Sequence, residues 1–225
     1  LLMAREITYL SKATADPEQP FVAVLGGAKV SDKMPLIHNL LDQVSSILIG
    51  GGMAYTLLQA QGYAIGESLV ETEQVDLARD LLAKAQAQQV QVLLPSDHVI
   101  AQEITADAQT RLAADEGIPR GWRGLDIGPQ TIQRFRDAIA PARTVVWNGP
   151  MGVFEFEPFR QGTLEMAKAV AACKGTTIVG GGDTVAALAL TDCSDAITHI
   201  STGGGASLEF LEGKELPGIA GLNER

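Results

Sequence analysis

The sequence predicts a three-layer α/β/α, Rossmann-like domain on a mostly parallel, six-stranded sheet. Three observations carry this expectation. Short apolar runs alternate with longer helix-patterned segments along the chain. The runs are apolar almost throughout, as strands buried on both faces require. Several end in glycine clusters and lead straight into a helix, the connection at which parallel sheets meet ligands.

The elements are expected in this order. Residues 2–13 read as a helix, broken at Asp16-Pro17. Strands are expected at 21–25, 46–49, 90–94, 144–147, 176–179 and 197–200. Helices are expected at 32–41, 53–61, 73–88, 129–139, 158–172 and 183–190. Residues 95–128 interrupt the alternation with Pro95, Pro119, Gly117, Gly121, Gly124 and Gly128, and predict a β-hairpin or an excursion from the sheet.

Composition narrows the functional classes. The 225 residues carry a net charge of −10 and a pI near 4.7. Such a chain lacks the broad basic face that a nucleic-acid backbone needs. A small phosphorylated ligand needs only a local positive site. Aromatics are 5% of residues, so aliphatic side chains must fill the core. Cys173 and Cys193 have no CxxC spacing and read as reduced thiols in or near the core of a cytoplasmic protein. No apolar run reaches membrane-spanning length, so no membrane partner is expected, and no signal peptide is expected either. The opening Leu1-Leu2-Met3 reads as a fragment.

One local design recurs: strand, three glycines, helix. It occurs at Gly50-Gly51-Gly52, Gly180-Gly181-Gly182 and Gly203-Gly204-Gly205, with a looser version at Gly26-Gly27-Ala28-Lys29. Glycine allows close backbone approach or φ > 0, and the following helix start presents free N–H groups. Together these suggest an anion-binding edge; the alternative is that the glycines only make tight turns. The dinucleotide motif GxGxxG fails, because Tyr55, Val185 and Leu208 stand where its third glycine belongs. GxxxxGK[ST] and the protein-kinase HRD and DFG motifs are absent.

Charged residues follow these turns. Lys29 and Lys33, four apart, could face one anion, or they could be solvated surface lysines. Ser31 or Asp32 is expected to cap the helix that follows. Asp183 and Thr184 open another helix; Asp183 could be a cap, or could serve Mg²⁺ beside phosphates. Asn148 could bind phosphate or turn backbone. Val153 and Phe154 offer apolar surface to a base or ribose. Glu155 suits two ribose hydroxyls, or lies on the surface. Asp97, at a strand end, could shape the site or a turn. His38, His98 and His199 share no metal spacing and read as structural.

Six blocks bring these residues together: LGGAKVSDK at 25–33, IGGGMAY at 49–55, GWRGLDIGP at 121–129, VWNGPMGVFE at 146–155, GGGDT at 180–184 and HISTGGGASLE at 199–209. In content and order they resemble phosphoglycerate kinase, and within that two-domain family the carboxyl-terminal, nucleotide-binding domain. The resemblance covers the whole chain. It implies reversible phosphoryl transfer between 1,3-bisphosphoglycerate and ADP, giving 3-phosphoglycerate and ATP, with Mg²⁺. It implies that Lys29 and Lys33 contact the nucleotide phosphates and the moving group. Gly27, Ala28, Gly51, Gly52, Gly124, Leu125 and Val153 would line the adenine and ribose pocket. Asn148 would reach the phosphates and Glu155 the ribose. Asp183 would serve the metal and Thr184 the phosphates. Gly181, Gly182 and Gly204 would offer backbone N–H groups to the phosphoryl in transit.

The family's basic patch for the phosphoglycerate belongs to its amino-terminal domain. The arginines here, from Arg5 to Arg160, are scattered. The resemblance therefore divides the chain into an interdomain helix at 1–14, a nucleotide-binding domain at 15–215, and a tail at 216–225 that packs on the other domain. It also implies a monomeric enzyme of glycolysis or carbon fixation, whose isolated half binds nucleotide with little or no turnover. Two rival readings are a dinucleotide-dependent oxidoreductase, against which the failed GxGxxG tells, and a non-catalytic adenine-nucleotide module.

Overall fold

The computed structural model describes residues 17–114 and 116–201. The expected helix at 2–13, the domain termini, Gly203–Gly205 and the tail lie outside them.

Strand β1 (Phe21–Leu25) is buried along its full length, and its alternation explains the layers. Phe21, Ala23 and Leu25 pack into one core cluster, while Val22 and Val24 pack into another. The first cluster lies under helices α1 (Met34–Leu40), α2 (Met53–Ala60) and α3 (Val75–Ala87), through Leu36, Leu57 and Leu81 among others. The second lies under α4 (Pro129–Ile139), α5 (Gln161–Ala172) and α6 (Gly182–Leu188), through Phe135, Met166 and Leu188. A strand apolar on both faces thus needs helices on both sides.

The main sheet adds β2 (Ser46–Ile49), β3 (Gln91–Leu93), β7 (Thr144–Asn148), β8 (Thr176–Gly180) and β9 (His199–Ile200). Its order is β3-β2-β1-β7-β8-β9, and every pair is parallel. All six expected strands are present. The interruption at 95–128 holds β4 (His98–Ala101), β5 (Arg111–Ala113) and β6 (Arg123–Ile127). These form a separate antiparallel sheet of order β5-β4-β6, so the expected hairpin, β4–β5, is joined by a third strand.

Helix starts differ from the expected ones. Short 3₁₀ turns at Ser31–Lys33, Thr72–Gln74 and Glu157–Phe159 precede α1, α3 and α5. Neither Ser31 nor Asp32 caps α1, whose cap position is Lys33 and has no side-chain capping bond. Asp183 is not the cap of α6 either; that position is Gly181.

Two buried aspartates satisfy helix starts from a distance. Asp97 accepts from the backbone N–H groups of Gln130 (2.9 Å) and Thr131 (2.8 Å) at the head of α4. Asp126 accepts from Gly162 N–H (2.7 Å) at the head of α5 and from Ile127 N–H (2.9 Å). Each carboxyl group accepts from N–H groups at a helix start, which have no partner within the helix. Asp97 therefore works as a remote helix cap, not as a turn residue.

Burial pushes the Asp126 carboxyl up to about 8, against the pull of the Gly162 and Ile127 N–H groups. The unfolded carboxyl releases its proton near pH 4, so folding takes up a proton between about pH 4 and pH 8. The resulting stability is complete below that window and is lost as pH rises through it. Unfolding free energies from urea titrations at about pH 5 and about pH 8.5 should differ by a few kcal/mol more in the unaltered chain than in Asp126→Asn. Equal pH dependence in the two proteins would refute the assignment.

Candidate functional site

The strand order turns at β1 and β7. From β1 the chain builds β2 and β3 to one side, then crosses to β7 on the other. At such a switch point the connections leave in opposite directions and open a crevice beyond the carboxyl ends. Among the described residues, the glycine turns at 26–27, 50–52 and 180–182 meet there.

Most of these glycines are needed for packing of loop on loop. A Cβ on Gly26 would lie 2.1 Å from Pro150 O, and one on Gly149 (φ +98°) 2.2 Å from Gly26 O. One on Gly51 (φ +68°) would lie 2.6 Å from the Gly27 backbone. The loops are stitched by Gly26 N–H to Asn148 O (2.9 Å), Gly27 N–H to Pro150 O (3.0 Å) and Gly51 N–H to Met151 O (2.9 Å). The tight-turn reading thus accounts for several of them. Gly27 and Gly182 differ, because the space beside them is open.

Between these loops, α2 and β6 lies a cavity of about 410 Å³. It is lined by nine residues singled out from the sequence: Gly27, Ala28, Gly51, Gly52, Gly124, Leu125, Val153, Glu155 and Asp183. Its volume falls in the range of small-molecule sites. Tyr55, Leu69, Ile104, Leu125 and Val153 make one region apolar, while Asp183 and the Gly27 turn bring polar groups to the wall. Leu69 and Ile104 are exposed apolar side chains at this cavity, 50% and 38% accessible.

Lys29 is exposed beside the Gly27 turn. Lys33 donates from Nζ to Asn148 Oδ1, which ties the start of α1 to the end of β7. Asn148 is buried at the strand end. Thr184 is fully buried, and its Oγ1 accepts from Gly149 N–H at 2.7 Å. Lys29, Lys33, Asn148, Gly181, Gly182 and Thr184 do not line the cavity itself; Lys29 and Lys33 belong to the connection after β1, Asn148 to the end of β7, and Gly181, Gly182 and Thr184 to the turn after β8. Phe154 is buried and does not line this cavity. Gly204 lies outside the described residues.

Residues not singled out also line the cavity: Tyr55, Glu67, Leu69, Ile104, Arg123, Pro150, Met151 and Gly152. Tyr55 is the most constrained. Its Oη lies 3.3 Å from His98 Nδ1, the two rings are 5.4 Å apart, and a Cβ on Gly124 would sit 2.0 Å from that oxygen. Gly124 is therefore a glycine because of Tyr55. Burial, then the nearby Asp126 carboxyl, hold the Tyr55 phenol protonated. Burial pushes His98 down to about 4, against the opposite pull of Asp97, so the ring is neutral near pH 7. The structural reading of His98 fits this position.

No group of three His, Cys, Asp or Glu side chains suited to a metal occurs among the described residues. Asp183 alone, exposed at the cavity wall, fits an ion such as Mg²⁺ that takes one or two carboxylates plus phosphate oxygens. It does not fit an all-protein cage. Also among the described residues, no helix is long and apolar enough to cross a membrane.

Known proteins share both sequence and shape with this chain. The phosphoglycerate kinase family model matches residues 1–214. A phosphoglycerate kinase of Moorella thermoacetica is 58% identical over 224 residues, covering 100% of this chain and 57% of that protein. One from Clostridium botulinum (strain Alaska E43 / Type E3) is 56% identical over 223 residues, covering 99% of this chain and 56% of that protein. The solved phosphoglycerate kinase of Coxiella burnetii superposes with a TM-score of 0.94 at 46% identity, over 97% of this chain and 57% of that one. That from Pyrococcus horikoshii OT3 gives 0.85 at 31% identity. The chain spans somewhat more than half the length of these relatives. A match across residues 1–214, with more than half of the aligned positions identical in the curated relatives, has one meaning: the chain belongs to the phosphoglycerate kinase family.

Proposed function

We propose that this chain is the nucleotide-binding half of a phosphoglycerate kinase. In this reading the whole enzyme transfers a phosphoryl group reversibly between 1,3-bisphosphoglycerate and ADP. The observation that carries it is the cavity at the switch point, which gathers nine residues from five of the six matching sequence blocks. The names of the curated relatives supply the reaction.

The adenine and ribose would occupy the apolar region around Leu69, Ile104, Leu125 and Val153, with Glu155 accepting from ribose hydroxyls. The phosphates would lie toward the Gly27 turn and the start of α6. Lys29 and Lys33 would neutralise them, and the N–H groups of Gly181 and Gly182 would face the group in transit. Asn148, which holds Lys33, would orient that ammonium. Bound Mg²⁺ would neutralise phosphate charge beside Asp183. Phosphoryl transfer needs positioning and charge stabilisation more than a protein nucleophile. A cavity of these groups meets that need on one side. The phosphoglycerate would be bound by the part of the relatives' length that this chain does not span. The proposed parent enzyme is monomeric and cytoplasmic.

Titration calorimetry with MgADP should give a Kd between about 1 µM and 1 mM, the usual span for enzyme substrates. A coupled kinase assay on the chain alone should give little or no turnover. Absence of nucleotide binding would refute the site, and turnover at the rate of a whole enzyme would refute the half-site reading.

A further inference from the structure

The loop that carries the two lysines is held by a carboxylate forty positions away. Ser31 lies between Lys29 and Lys33, and its backbone N–H donates to Glu71 Oε2 at 3.0 Å. The Ser31 hydroxyl donates to Glu71 Oε1. Glu71 is itself fixed: its N–H donates to Thr56 Oγ1 at 3.1 Å, and Thr56 is buried within α2. Its carbonyl accepts from Gln74 N–H at 2.9 Å in the turn that begins α3. Burial alone would raise the Glu71 carboxyl, but the Ser31 hydroxyl and amide, the Val30 amide and then the Lys29 charge outweigh it, and the group stays ionised.

The Ser31 amide thus serves an anion that belongs to the protein and is not left for a phosphate. Holding it with a side chain fixes the backbone from which Lys29 and Lys33 project. The other end of the loop is fixed separately, by Gly27 N–H on Pro150 O and Met53 N–H on Gly27 O.

We propose that Glu71 is a positioning residue of the phosphate site: it holds the Lys29–Lys33 segment and acts on nucleotide phosphates only through those lysines. This rests on the nucleotide reading above. Tyr55 bonds to His98 and Gly124 to Ser68, not to the Ser31–Glu71 pair, so loss of the Glu71 carboxylate should act on the phosphates far more than on the base.

The test compares MgADP with adenosine, each titrated into the chain. Glu71→Ala should lower affinity for MgADP about tenfold, the size of one or two lost charge-assisted hydrogen bonds. Adenosine affinity should not change. Glu71→Gln keeps an acceptor of the same size and should restore part of the loss. Ser31→Ala, which leaves the carboxylate in place, should give a smaller loss in the same direction and stands in if Glu71→Ala does not fold. In Lys29→Ala the further effect of Glu71→Ala should shrink, because part of the route to the phosphates is gone. Unchanged MgADP affinity in Glu71→Ala, or an equal loss for adenosine, would overturn the inference. Failure of the unaltered chain to bind either ligand would instead overturn the nucleotide reading itself.

Discussion

Gly149→Ala should be among the most destabilising single substitutions in this chain, costing about 3 kcal/mol or more. Two independent penalties fall on it. The residue has φ +98°, a conformation that L side chains rarely adopt. Its new Cβ would also sit 2.2 Å from Gly26 O and 2.3 Å from Gly26 C. These are backbone atoms of the turn after β1, so no side chain can swing away. The turn is held on its other side as well, by Gly149 N–H on Thr184 Oγ1 (2.7 Å) and by Trp147 Nε1–H on Gly149 O (2.9 Å). Relief would therefore part the two central strands of the sheet. Gly27→Ala is the control: φ is +104°, but the Cβ would meet open space. It should cost about 1 to 2 kcal/mol from backbone strain alone. Urea denaturation of both variants reads the difference. Equal costs would mean that strain, not loop contact, is the reason for glycine at 149.

Lys33→Ala should lower turnover of the two-domain enzyme by about 100-fold or more, the usual loss when one preorganised charge is removed from a transferring group. Its Nζ is held by Asn148 Oδ1, so in the proposed site it would meet the phosphates already oriented from the end of β7. An interaction of this kind, strengthened as charge moves, is lost mainly from kcat, whereas uniform ground-state binding is lost from KM. The expected signature is a large fall in kcat with a smaller rise in KM for nucleotide. Asn148→Ala should fall in the same direction by less, because it removes orientation and leaves the charge. Turnover of Lys33→Ala within a few-fold of the unaltered enzyme would exclude a role for this lysine in transfer and would favour a nucleotide-binding module.

Much of the fold could be read directly. The runs 21–25 and 46–49 match β1 and β2 to the residue, and 129–139 matches α4. Here local signals agree: buried β-rich runs, and Pro129 at a helix start. Boundaries slipped where they depended on distant partners. The expected helix at 32–41 begins instead with a 3₁₀ turn, because Ser31 is drawn to Glu71 and does not cap. The expected strand at 197–200 is only His199–Ile200, preceded by a turn at Ser194–Ala196.

The candidate site was legible in the same uneven way. Residues beside glycines at strand ends could be found, since chain order alone places them at one sheet edge. Leu69, Ile104 and Glu67 could not, because they reach the cavity from segments with no motif of their own. Nor could Asp97, Asp126 and Glu71 be assigned, since each serves amides at least thirty positions away.

By itself, then, the sequence determined the parallel α/β class, the strand ends that would carry the site, and the residues that resemble a nucleotide pocket. The first two follow from periodicity and from glycine placement, which are local properties of the chain; the third follows from the resemblance of six sequence blocks to the phosphoglycerate kinase family. Only the tertiary structure decided what each glycine is for and which carboxylates hold the site's backbone. At Gly26, Gly51 and Gly149 the missing Cβ makes room for another loop, while at Gly27 and Gly182 it leaves space open. The reason is physical: a residue's conformational freedom is written in its own identity, but the atoms that would collide with it belong to strands brought alongside only by folding.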